Sequence, residues 1–256
     1  MNRLAAWLVL AIATLFMFGC SVAVYGADPA LAKYAVVMVP SHGGSATVIY
    51  TAPGRTLLLS AAHMFEGLDR NKPIVFDAPA PVVGAPHKAG TRLLAVDHQH
   101  DLALFELSAG PLPYVMPVAS LSQITARRVL SIGYDEMKQP AQMRPTVIVT
   151  ADDGGGFTLT QGRPFHGRSG GALLDEASGC LVGVVSGYSG YCPLDRYGHP
   201  DRTRFKEVQS GGHGIYSSHA AICAFLQRNG IAPGGTQVAP YNPLPIAQRG
   251  SPLCPT

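Results

Sequence analysis

Charge is scarce in this chain: 19 basic residues face 16 acidic ones, for a net charge of +3. The basic residues are scattered, so there is no one-signed field of the kind that gathers nucleic acid. Helical periodicity is nearly absent until close to the C-terminus, which argues against alternating βαβ units. Past the N-terminal segment, no apolar run is long enough to span a membrane. No cluster of His, Cys, Asp and Glu forms a ligand set; His98-x-His100 has no further partner, so no metal is expected. Nothing suggests an organic cofactor, and the two halves share no sequence repeat.

What is present begins with an export signal. Arg3 supplies a positive start, residues 4–18 are almost uninterruptedly apolar, and small residues follow over 21–27, so residues 1–26 read as a signal peptide cut after Gly26. Met17-Phe18-Gly19-Cys20 loosely resembles a lipoprotein processing site. Cys20 is therefore a candidate lipid anchor, the other reading being a cysteine discarded with the signal. An exported destination follows either way: secreted, periplasmic or held at the cell envelope. Four cysteines remain in the mature part, Cys180, Cys192, Cys223 and Cys254. An even number in an exported chain favours two disulfides, with three pairings open.

Short β-type runs separated by turn residues fill the body of the chain, at 35–39, 46–50, 56–60, 73–76, 91–96 and 102–107, then 128–132, 146–150, 157–160 and 181–185. A connector rich in Gly and Pro starts at Gly110-Pro111-Leu112-Pro113, so the chain divides into β halves at about 35–120 and 125–230. One helix is expected near the end, where Ser218 can cap a turn before Ile222, Phe225 and Leu226. Residues 233–256 read as an extended tail rich in Pro and Gly, and the long polar stretch 188–212 as a loop of the kind that lines a binding site.

Three strings carry chemistry. A hydroxyl is a poor nucleophile at neutral pH and needs an adjacent base and donors for the developing oxyanion. Gly167-Arg168-Ser169-Gly170-Gly171 offers a serine on a sharply bending backbone, with the Gly167 and Ser169 amides as oxyanion donors. Leu57-Leu58-Leu59-Ser60-Ala61-Ala62-His63 runs a strand into small residues and then a histidine that can relay a proton. His100-Asp101-Leu102-Ala103-Leu104-Phe105 sets a carboxylate before an alternating apolar strand, where it can orient an imidazole. Taken singly, each also has a bland reading, as a glycine-rich turn, a strand-closing polar residue or a turn acid.

In the order His, Asp, Ser, the three resemble the trypsin-like serine peptidases. Ser60-Ala61-Ala62-His63 is similar to the family's Thr-Ala-Ala-His, Asp101-Leu102-Ala103-Leu104 to Asp-Ile-Ala-Leu, and the Ser169 string to Gly-Asp-Ser-Gly-Gly. Gly43 to Ile49 resembles the strand before the histidine, Leu181 to Ser186 the strand that pairs with substrate backbone, and Gly214-Ile215-Tyr216 the strand beside the specificity pocket. The resemblance implies an all-β fold of two six-stranded antiparallel barrels with a C-terminal helix, spanning 27–232. It implies a His63, Asp101, Ser169 triad and an oxyanion hole at Gly167 and Ser169, acting on protein or peptide substrates. By the same resemblance, Arg163, His166, Ser186, Gly187, Tyr188 and His213 line the substrate pocket. Arg163 facing that pocket would favour an acidic side chain; facing solvent, it would take no part.

One departure stands out. Animal digestive members carry an aspartate before the serine and pair it with a freshly cut N-terminus; Arg168 here cannot do so. Activation by such a cut is therefore not expected. Two rival readings remain. One is a peptidase-like domain that binds without cutting. The other is an α/β-hydrolase, since Gly167-x-Ser169-x-Gly171 also fits a nucleophile elbow, but that fold needs a helix directly after the serine.

Overall fold

The computed structural model describes residues 29–67, 74–77, 91–108, 112, 114–119, 127–188, 190–191, 206–207 and 212–231. The expected signal, the candidate anchor Cys20, the tail, Cys192, Cys254 and most of the 188–212 loop lie outside them. Among the described residues, no helix is long and apolar enough to cross a membrane.

A four-residue helix, α1 (Pro29–Ala32), precedes the first β half. That half holds β1 (Val36–Val39), β2 (Gly44–Ala52), β3 (Arg55–Ser60), β4 (Thr91–Asp97) and β5 (Leu102–Leu107), all antiparallel in the order β1-β2-β3-β5-β4. Between β2 and β3 the chain reverses through Pro53 and Gly54, the glycine at a φ of +72° that a side chain would resist. Asp77 bridges Met38 on the β1 edge with two backbone hydrogen bonds of 2.8 and 2.9 Å. The six-stranded closure expected for this half is not what the described residues show; they form a five-stranded sheet.

The second half does close. β6 (Arg128–Gly133), β7 (Gln142–Thr150), β8 (Phe157–Gln161), β9 (Ala172–Asp175), β10 (Leu181–Tyr188) and β13 (His213–Ser218) form a barrel in the order β10-β13-β8-β7-β6-β9. β11 (Gly190–Tyr191) and β12 (Lys206–Glu207) pair separately. The segment directly after Ser169 is the strand β9 and not a helix, and the sheets are antiparallel, which removes the α/β-hydrolase reading.

β5 shows why its sequence is nearly all apolar: both of its faces are buried. Ala103, Phe105 and Leu107 point into the core of the first half with Val37, Val48, Leu58 and Phe76. Leu102 and Leu104 face a second cluster that joins the halves, with Leu59, Ile132, Leu174 and Val184. Each such burial is worth about 1.5–3 kcal/mol. Helix α2 (His219–Arg228) adds Ile222, Phe225 and Leu226 to this joining cluster, the face its spacing predicts. Ser218 caps it, accepting from the Ala221 amide at 3.2 Å. Ser218→Ala should lower unfolding stability by about 1 kcal/mol in denaturant titration, with no effect on turnover.

Candidate active site

Strand register brings the three strings to one place. β3 and β5 pair with Ser60 opposite Ala103, so the residues that follow β3 and those that precede β5 emerge at the same end. His63 lies there in a 3-10 turn (Ala62–Phe65), and Asp101 in the turn before β5. In the barrel, β9 and β10 pair with Ala172 opposite Val184, so Ser169, just before β9, and Ser186, just beyond Val185, also share an end.

Asp101 is the most constrained of these residues. Its φ of +54° lies in the left-handed region, where Asp and Asn are the side-chain-bearing residues best tolerated. The preceding His100 holds the turn: its ring and its amide bond the two Asp97 carboxylate oxygens at 2.8 and 3.1 Å, and its carbonyl accepts from Ser217 Oγ at 2.7 Å. Burial pushes the Asp97 carboxyl up, but the His100 hydrogen bonds, and beside them Arg228 of α2 at 2.6 Å, hold it below its usual range.

The Asp101 carboxylate grips the histidine twice. Oδ1 accepts from the His63 amide at 2.8 Å, and Oδ2 lies 2.8 Å from His63 Nδ1. Ser186 Oγ donates to the same Oδ2 at 2.6 Å, which joins the second half to the first at this point. The carboxylate side chain is 14% exposed and the imidazole 43%, so the ring is open to an incoming group while its orienting partner is shielded. The hydrogen bond that His63 donates to Asp101 raises the His63 pKa above 6.5, with burial opposing it. With Nδ1 committed to Asp101, Nε2 is the nitrogen left to act as a base.

The Ser169 turn is docked against the first half by backbone contacts. Ser45 N donates to the Ser169 carbonyl at 2.7 Å, and Ser45 Oγ donates to the Gly167 carbonyl at 2.7 Å. Gly170, at a φ of +81°, passes so close that a Cβ there would lie 2.0 Å from Ser45 O and 3.1 Å from Ala61 N. This is the close approach that the Gly-x-Ser-Gly-Gly pattern requires. No hydrogen bond joins Ser169 Oγ to His63 Nε2; such bonds are often long in unliganded sites and tighten around substrate.

Two peptide groups then fix the direction of the Gly167 and Ser169 amides, the expected oxyanion donors. The His166 carbonyl is held by Glu136 N at 2.6 Å, and the Arg168 carbonyl by Gly171 N at 2.7 Å. A trans peptide points its N–H opposite its C=O, so the Gly167 and Ser169 N–H groups face the other way. Among the described residues, neither is donated to a protein acceptor.

The expected pocket residues divide. Arg163 and His166 both approach Tyr188: the guanidinium lies 5.4 Å from the ring centroid, and the imidazole meets the ring edge-on at 6.0 Å. Together with Glu136, Pro164 and Phe165 they line a small cavity. Arg163 thus lies over an aromatic face beside the site. Gly187 sits opposite Ile215 with open space over its Cα, and His213 opposite Gln161 at the start of β13. The Ser186 side chain bonds Asp101. Sequence reasoning missed Asp135, whose carboxylate pairs with the buried Arg168 and with Arg144; no local signal in the sequence marks it. Cys180 and Cys223 are buried, with Sγ atoms near the Ser178 carbonyl and the His219 ring.

The comparisons agree with this architecture. The chain matches a solved HtrA-type protease, AlgW with a tripeptide, at 22% identity over 76% of this chain and 60% of that one, with a TM-score of 0.52. A serine endoprotease from Yersinia pestis matches at 20% identity over 74% of this chain and 60% of that one, with a TM-score of 0.51. Rv3671c from M. tuberculosis H37Rv, a serine-to-alanine mutant in an inactive form, matches at 19% over 83% and 97%, with a TM-score of 0.52. This chain therefore spans only 60% of the length of the first of these. No curated protein sequence matches it. At these identities the solved structures speak for the fold alone. Family membership rests on the model of the trypsin-like peptidase domain, which matches residues 44–184, more than half of the chain. This chain belongs to the trypsin-like peptidase family.

Proposed function

We propose that the chain is an exported serine endopeptidase that cuts protein or peptide substrates through an acyl-enzyme on Ser169. The observation that carries this reading is the Asp101–His63 hydrogen-bonded pair, which holds Nδ1 and leaves the Nε2 of a 43% exposed imidazole as the base. His63 Nε2 takes the Ser169 Oγ proton as Oγ adds to the scissile carbonyl. The Gly167 and Ser169 amides receive the negative charge on the carbonyl oxygen. Collapse expels the amine, which takes the proton from His63 and leaves the acyl group on Oγ. Water then repeats the sequence: His63 removes its proton, the ester breaks, and Ser169 regains its hydrogen. The same reading includes a signal at 1–26, a peptidase domain over 27–232, closure of the first half as a second barrel, and a tail at 233–256.

Two features support a site ready for chemistry over one that only binds: the unengaged oxyanion amides and the exposed imidazole. The test is digestion of a mixed peptide library, read by mass spectrometry, with Ser169→Ala as control. Internal cuts by the wild-type chain and none by the variant are expected; intact peptides with both would refute the proposal. Because the base form of His63 is required and Asp101 raises its pKa, kcat/KM should rise on a limb centred above pH 6.5. The stability that this pair contributes has the opposite sign, being full below pH 6.5 and lost as pH climbs through the raised value. A pH–rate profile checks the first and thermal melts across pH the second.

A further inference from the structure

Among the described residues, Arg168 is the largest side chain to be wholly buried, and it directly precedes Ser169. A buried guanidinium without partners would be prohibitive, and here it is well matched. Nε donates to Asp135 Oδ1, Nη1 to the Ser131 carbonyl at 2.8 Å and to Ser131 Oγ at 3.0 Å, and Nη2 to the Gln142 carbonyl at 3.1 Å. Asp135 Oδ2 is held by Arg144 Nη2 at 2.7 Å, and Ser131 Oγ also accepts from Tyr216 at 2.9 Å. Every one of these acceptors belongs to β6, the turn after it, or the first residue of β7.

That turn is also the surface on which the oxyanion backbone rests. Glu136 N holds the His166 carbonyl, and a Cβ on Gly167 would lie 2.3 Å from Tyr134 O and 2.9 Å from Met137 N. Glu136 and Met137 take φ values of 51° and 60°, a strained conformation that persists only under strong local constraint. The ion pair thus crosses the seam between two turns, one carrying the oxyanion amides and the other fixing their direction.

We propose that Arg168 and Asp135 are positioning residues, whose ion pair clamps the Gly167–Ser169 turn so that both amides stay aimed at the substrate carbonyl. This rests on the peptidase reading above. Neither side chain touches the reacting atoms. Both charges come from within the folded domain, so the donor geometry is complete on folding and needs no cut terminus to supply a countercharge.

The test uses the full-length chain and a fluorophosphonate probe, with kinact and KI measured separately alongside thermal melts. Asp135→Leu combined with Arg168→Met replaces the pair by apolar groups, a change that buried ion pairs often tolerate in stability. Expected is a folded variant whose kinact falls about 100-fold, the scale of losing one oxyanion donor, with KI nearly unchanged. Arg168→Lys should recover only part of the rate, since one ammonium cannot match the fork that reaches Asp135, Ser131 and Gln142. If the double variant does not fold, Asp135→Asn carries the same readouts. A folded variant that labels as fast as wild type overturns the proposal, as does a loss confined to the number of reactive sites with the rate per site unchanged. Absence of labelling in the wild-type chain would instead sink the peptidase reading itself.

Discussion

Ser169→Ala should abolish measurable peptide hydrolysis, lowering turnover about 10⁶-fold, as loss of a triad serine does elsewhere. The fold should not notice. What ties Ser169 to its surroundings is its backbone carbonyl, which accepts from Ser45 N at 2.7 Å and is untouched by the change. The hydroxyl itself makes no hydrogen bond to His63, so no buried partner is orphaned. An unaltered melting temperature beside the lost turnover would separate a chemical role from a structural one, and a parallel fall in both would assign Ser169 to the fold.

The second large effect belongs to Asp101→Asn, for which turnover should fall about 10⁴-fold. Asparagine suits the backbone, since the φ of +54° is one that Asp and Asn tolerate. The chemistry does not survive as well. Both carboxylate oxygens act as acceptors, Oδ1 for the His63 amide and Oδ2 for Nδ1 and Ser186 Oγ. An amide has only one oxygen. If that oxygen keeps the His63 amide, its NH₂ faces Nδ1, which selects the tautomer with the proton on Nε2, where no base is left. Replacing the carboxylate also removes its hydrogen bond with Nδ1, the largest cause of the raised His63 pKa, together with its charge, so the residual activity should rise on a limb moved down in pH. A pH–rate profile of the variant checks this; an unmoved limb would mean that another group titrates.

Much of this was legible in sequence because the relevant signals are local. The alternation of Leu102 to Leu107 reproduces β5 residue for residue, and His63 and Asp101 sit where strands of period 2 give way to turns. Ser218 and the spacing of Ile222, Phe225 and Leu226 marked α2 for the same reason. β9 was not singled out as a strand; four residues between glycines and the Asp175 turn are too short for periodicity to register. The hydrogen bond from Ser186 to Asp101 leaves no local trace because it spans 85 residues of sequence and crosses between the halves. Asp135 was invisible for a similar reason: it meets Arg168, 33 residues on, only when the barrel folds. Local pattern reports which backbone forms; it does not report which distant charge a buried side chain will meet.

The most direct measurement is fluorophosphonate labelling of the wild-type chain, followed by peptide mapping, with His63→Ala alongside. A single phosphonyl adduct on Ser169, lost when His63 is replaced, is the outcome this arrangement requires. An adduct on any other residue, or labelling of Ser169 at full rate without the imidazole, would contradict it.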